Sequence, residues 1–167
     1  MNLKQYQIEA TRTCASLGSK ELDDAHMQAG IFTEFGEMVD VIKKHIAYGK
    51  PLDWIGISEE SADVCFYYVN WDRIEGIFYD DSLESILEKN VVIDNEIINW
   101  IDTLVNYQEY PGGELQLIYN FFKSFDLDFA KALDNNIAKL KQRFPDKFDT
   151  EKALNRDLDA ERRILER

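Results

Sequence analysis

Proline, cysteine and histidine are scarce in this chain, with three, two and two residues among 167. The prolines, Pro51, Pro111 and Pro145, leave long stretches free of helix breakers. The histidines, His26 and His45, do not follow a glutamate by three residues, which excludes the paired Glu-x-x-His ligands of a di-iron bundle. Cys14 and Cys65 allow at most one disulfide, and buried free thiols are the expectation for both. Basic residues are also in deficit, 19 against 32 acidic ones, for a formal net charge of −13. That balance disfavours nucleic acid as a partner, because such binding depends on neutralising phosphates. A small anion needs only a local cationic patch or a metal, so it is not excluded. No apolar run has the length of a membrane span, and Met1–Tyr6 carries no apolar signal core. The expectation is a cytoplasmic protein without a membrane partner. No Gly-x-x-x-x-Gly-Lys loop is present, and no local pattern suggests a Ser-His-Asp or Cys-His nucleophile.

What the chain does have is helical periodicity. At 167 residues, 45% of them hydrophobic and 13% aromatic, it is long and apolar enough for one domain spanning 1–167. No run alternates as a strand would, so the fold class expected is an all-α helical bundle with extra helices. The spacing predicts helices over about Leu3–Leu17, Asp24–Tyr48, Ser58–Ile74, Ser82–Asn90, Asp94–Gln108, Glu114–Ser124 and Asp128–Phe144. Gly49-Lys50-Pro51 stops the second, Ser58 is the expected N-cap of the third, and Pro111-Gly112-Gly113 stops the fifth. The charged tail, about 150–167, is expected to be helical and only partly packed.

Two motifs stand out: Glu34-Phe35-Gly36-Glu37 and Glu60-Ser61-Ala62-Asp63. Acids three residues apart share one helix face, so two such helices packed together would aim four carboxylates at one place. Converging carboxylates repel unless a cation lies between them, and all-oxygen ligands suit a hard divalent ion such as magnesium, which in turn holds phosphates. In a chain this acidic, either pair alone reads more simply as a solvated face. Three details favour a site. Glu34 borders the apolar stripe of Met27, Ile31, Phe35, Met38, Ile42 and Ile46. Glu60 shares a face with Val64, Tyr67 and Trp71. Gly36, mid-helix at a cost of about 1 kcal/mol, implies close helix packing or ligand approach.

The stretch His26–Asp63 resembles the MazG-like family of all-α nucleoside triphosphate pyrophosphohydrolases. That family pairs Glu-x-x-Glu with a later Glu-x-x-Asp, matched here by Glu34, Glu37, Glu60 and Asp63, with Ile42–His45 and Tyr48–Asp53 resembling its connection. A second block, Asn136–Pro145 with Phe148, Asn155-Arg156-Asp157 and Glu161-Arg162, resembles the C-terminal end of small phage and bacterial members. About 76–122 then stands as an insertion relative to compact members. The resemblance implies hydrolysis of a (d)NTP to the monophosphate and pyrophosphate, in the host cytoplasm if the chain is phage-encoded. It implies magnesium, with manganese as a substitute, on Glu34, Glu37, Glu60 and Asp63. The metal would neutralise triphosphate charge and activate the attacking water, with Glu37 and Glu60 as the catalytic candidates. Lys139 and Arg143, one turn apart, are the expected pyrophosphate contacts, with Asn136 and Tyr67 as further substrate contacts. Each has an ordinary structural reading as well: basic helix face, helix amide, core tyrosine. His26, Trp54 and Trp71 are weaker candidates for the base, and Lys43, Lys44 and Lys50 for positive field. A homodimer or homotetramer is expected. The alternative is a non-catalytic acidic helical scaffold that binds a metal or a partner.

Overall fold

The computed structural model describes residues 1–111 and 113–166; Gly112 and Arg167, which the readings above include, lie outside the described residues. Every regular element among them is helical: α1 (Leu3–Thr11), α2 (Lys20–Tyr48), α3 (Trp54–Ile74), α4 (Leu83–Lys89), α5 (Ile97–Val105), a 3-10 turn (Tyr107–Glu109), α6 (Gly113–Ser124), α7 (Phe129–Arg143), α8 (Thr150–Leu154) and α9 (Leu158–Leu165).

The centre of the fold is the α2–α3 hairpin, the most extensively packed pair. Gly49 ends α2 in the left-handed conformation (φ 64°), its N–H donating to the His45 carbonyl at 3.1 Å, so the chain can reverse within five residues. Partners run in opposite senses: Met38 meets Ser61, while Gly30 meets Tyr67 further along α3. The stripe of α2 is buried at Met27, Ile31, Phe35, Met38 and Ile42, but Ile46 is 47% exposed because α2 outruns its cover there. Helices α1, α6 and α7 pack on α3, α5 packs on α2, and α9 packs on α7.

Several boundaries differ from the periodicity, each for a local reason. Helix α1 stops at Thr11, not Leu17: the Thr11 and Thr13 hydroxyls donate to the carbonyls of Gln7 (2.8 Å) and Ala10 (3.2 Å), and the chain turns. Helix α2 begins at Lys20, capped by Ser19, whose hydroxyl accepts from the Leu22 N–H at 3.3 Å. Helix α3 begins a turn before Ser58. Asp53 is the cap, accepting from the Gly56 N–H at 3.0 Å, and Ser58 lies inside the helix. Helix α5 begins at Ile97, because the Asp94 carboxylate folds back onto the Glu96 N–H and the Asn99 amide, both at 2.9 Å. The tail forms two short helices broken at Asn155-Arg156-Asp157.

The segment 76–122 is not an appendage. Leu115 through Phe122 of α6 are all buried, with Leu117, Ile118 and Phe121 at 0% exposure, so α6 supplies one wall of the core. Cys14 and Cys65 are both free thiols, and Cys65 is buried. No helix among the described residues is long and apolar enough to cross a membrane.

Candidate metal and phosphate site

Glu34 and Glu37 project from α2, and Glu60 from α3. One carboxylate oxygen from each lies within 4.8 Å of the others. Glu34 and Glu60 are half-buried, whereas Glu37 is exposed. The electrostatics record the crowding. Burial, then the charges of Asp63 and Glu37, push Glu34 up to about 7. Burial, then the charges of Asp63, Glu59, Glu37 and Glu34, push Glu60 up to about 9. A shallow hollow opens beside the cluster, lined by Glu37, Glu60, Gly36, Thr33, Asp40 and Lys44. A Cβ at Gly36 would meet nothing within 4 Å, so close helix packing does not account for that glycine.

The close approach is at Gly30 instead. A Cβ there would overlap the Tyr67 ring at Cγ, Cδ1 and Cε1. Tyr67 also meets the edge of His26, with ring centroids 5.8 Å apart. Burial, followed by Glu34 and Asp63, raises its hydroxyl to about 12, so it stays protonated at neutral pH.

Asp63, the fourth acid of the two motifs, is held on its other side. Its Oδ2 forms an ion pair with Lys139, and its Oδ1 accepts from the Asn136 amide. Lys139 also pairs with Glu59 at 3.1 Å, and its side chain is only 2% exposed. Asn136 is fixed in turn by the Tyr6 hydroxyl, which lies 2.8 Å from its Oδ1 and 3.0 Å from the Ala62 carbonyl. Tyr6, Asn136, Asp63, Lys139 and Glu59 thus form one continuous polar chain linking α1, α3 and α7, buried at Tyr6, Asn136 and Lys139 and half-buried at the two acids. Asp63 is coupled to the cluster through its charge, and Lys139 lowers Glu34 from the far side.

Arg143 is engaged elsewhere. Its Nε and Nη2 donate to the two oxygens of Glu161 at 2.8 and 2.6 Å, and Arg156 donates to Oε2 of the same carboxylate at 2.8 Å. Burial raises Glu161, but the two guanidinium groups outweigh it and hold the carboxyl below its ordinary value. Trp54 lines a hollow of about 280 Å³ with Lys139 and Asn136 and packs on Phe125 with centroids 5.1 Å apart. Trp71 packs edge-on against Tyr68.

The structure therefore brings Glu34, Glu37 and Glu60 together, ties Asp63, Asn136 and Lys139 into a network behind them, sets Tyr67 against α2, and commits Arg143 to α9. Sequence reading missed Glu59, Tyr6 and Gly30, and named Glu161 only within the C-terminal block, without its partner Arg143. Glu59 sits in an acid-rich chain where nothing local distinguishes it. Gly30 lies mid-helix like Gly36 and carried the same signal. Comparison with known proteins adds no identity: no family model, curated protein or solved structure matches the chain.

Proposed function

We propose that this protein is a magnesium-dependent nucleoside triphosphate pyrophosphohydrolase, splitting a (d)NTP with water into the monophosphate and pyrophosphate. The observation that carries the reading is the meeting of one oxygen each from Glu34, Glu37 and Glu60 within 4.8 Å, from two helices locked in one register. The donor set fits magnesium: all oxygens, all carboxylate, beside a hollow open to solvent. Bound there, the ion would supply charge neutralisation for the triphosphate and a more acidic water. The chain's own residues do the rest. Glu37, the exposed member, is free to accept a proton from the attacking water. Lys139 and Asn136 hold Asp63 by its two oxygens just behind the cluster. The Tyr67 hydroxyl, held protonated, offers a donor to a phosphate oxygen. Lys44 places an ammonium on the same hollow, where it now pairs with Asp40.

One observation favours the alternative, a metal- or partner-binding scaffold without turnover. Lys139 and Arg143, the cations expected on pyrophosphate, are both occupied by carboxylates. A single assay separates the two: pyrophosphate release from a panel of NTPs and dNTPs, with magnesium and with EDTA. Magnesium-dependent release that vanishes in Glu37→Gln with melting temperature kept, and in Asp63→Asn assayed below its lowered melting temperature, supports the enzyme. Stabilisation by magnesium with no release from any nucleotide selects the scaffold. The same proposal includes a homodimer or homotetramer, supported by the exposed apolar side chains Phe32 and Tyr48 on α2 (67% and 68% exposed). A monomeric mass by light scattering would overturn that part.

A further inference from the structure

A second hollow lies away from the carboxylate cluster. It is an open cavity of about 890 Å³ between the C-terminal half of α3, residues 77–83, α4 and the start of α6. Its size is that of a small-molecule site. Its walls are apolar at Leu83, Leu87 and Leu115, and its rim leaves Ile77, Phe78 and Ile86 half or more exposed. Three tyrosines, Tyr68, Tyr79 and Tyr110, line it as well.

The charge of this cavity is one-sided. Its charged lining residues are Asp72 and Asp80, and no lysine, arginine or histidine lines it among the described residues. Asp80 is satisfied locally, accepting from the N–H and hydroxyl of Ser82 at 2.8 and 2.6 Å. Asp72 is not. It is half-buried, the Tyr79 hydroxyl donates to its Oδ2 at 2.6 Å, and no cation among the described residues pairs with it. A half-buried carboxylate normally has a counter-charge, since burial raises the cost of its charge. Burial indeed raises Asp72, with the Tyr79 hydrogen bond acting the other way.

We propose that this cavity binds an organic cation: an ammonium group on an aliphatic or aromatic body, with Asp72 as its counter-charge. Aromatic rings favour a cation near them, and Tyr68, Tyr79 and Tyr110 line the cavity, while Ile77, Phe78 and Ile86 are placed to cover the apolar body. An anion would meet Asp72 and Asp80 with no compensating base. A neutral apolar molecule would bury the carboxylate without pairing it.

The test is calorimetric titration of the full chain, in saturating magnesium, with three probes of one shape: phenethylammonium, 2-phenylethanol and phenylacetate. The expected order is ammonium over alcohol by about tenfold, with phenylacetate not binding. Asp72→Asn, which keeps an acceptor for Tyr79, is expected to remove the ammonium's advantage and leave the alcohol unchanged. Should that variant fold poorly, Phe78→Ala serves instead: Phe78 is 73% exposed, so its loss spares the fold and weakens ammonium and alcohol alike. Equal binding of ammonium and alcohol, or no ammonium binding at millimolar concentration, would each overturn the proposal.

Discussion

Lys139 is the residue on which the placement of Asp63 turns, so replacing it tests the reading of the site most directly. Its ammonium is buried against two carboxylates, Asp63 and Glu59, which keep 21% and 17% side-chain exposure. Lys139→Met keeps most of the volume and removes the charge. Deleting one partner of a buried ion pair costs about 3–5 kcal/mol, because the remaining charge is stranded. Both acids here retain some water, which places the expected loss at the lower end, about 3 kcal/mol. For a chain of this length that corresponds to a fall of roughly 6–12 °C in melting temperature. The double variant Lys139→Met/Asp63→Asn removes one stranded charge and should recover about 1–2 kcal/mol relative to Lys139→Met alone. The assay is thermal denaturation by circular dichroism of the parent, both single variants and the double variant, without divalent ions. A Lys139→Met melt within about 2 °C of the parent, or strict additivity around the cycle, would refute the buried network and with it the argument that Asp63 is preset.

Three other outcomes follow from the packing and the charges. Gly30→Ala and Gly36→Ala should move stability in opposite directions: the first drives a methyl into the Tyr67 ring, a net loss of about 1–2 kcal/mol, while the second meets no neighbour and gains up to about 1 kcal/mol of helix propensity. Paired melting curves read both. Glu161 has a folded pKa held below its ordinary value, so its contribution is present above about pH 4.5 and is lost as pH falls through the lowered value. Protection factors at α9, corrected for the intrinsic slowing of base-catalysed amide exchange, should therefore fall on acidification in the parent, whereas Glu161→Gln should show low protection already at neutral pH; identical protection in the two at neutral pH would discard the ion pair as the anchor of α9. Magnesium at a hundredfold excess over its Kd should stabilise the fold by about 2.7 kcal/mol, an effect that Glu60→Gln should abolish in a thermal-shift assay.

The sequence made the hairpin legible because α2 and α3 are long and carry their own punctuation. Gly49 and Pro51 mark the turn, and the stripe from Met27 to Ile42 faces inward as its period requires. It misled where two signals compete within a few residues. Ser58 has the chemistry of an N-cap, but Asp53 offers the same chemistry five residues earlier, and the earlier cap lets Ile57 reach the core at 0% exposure. The cluster was legible as spacing; its neighbours were not. Glu59 sits beside Glu60 with nothing to distinguish it until Lys139 arrives from 80 residues away. Arg143 reads as a free cation until α9 folds back and supplies Glu161.

These long-range partners explain how an acid-rich face can be rigid. Left alone, four carboxylates on two adjacent helices would spread apart through mutual repulsion, and their helices with them. Here the repulsion is opposed from behind. The Tyr6 hydroxyl fixes Asn136, Asn136 and Lys139 fix Asp63, and Lys139 fixes Glu59, so α3 is tied to α7 at the level of the cluster. On the other side, the Gly30–Tyr67 contact locks α2 to α3 one turn below Glu34. The two ties bracket the three converging glutamates. Among the described residues the crowding of Glu34, Glu37 and Glu60 is relieved only in part, by a hydrogen bond between Glu34 and Glu60; on the proposed reading a divalent cation relieves the rest, and any variant that loosens either tie should weaken magnesium binding without touching a carboxylate.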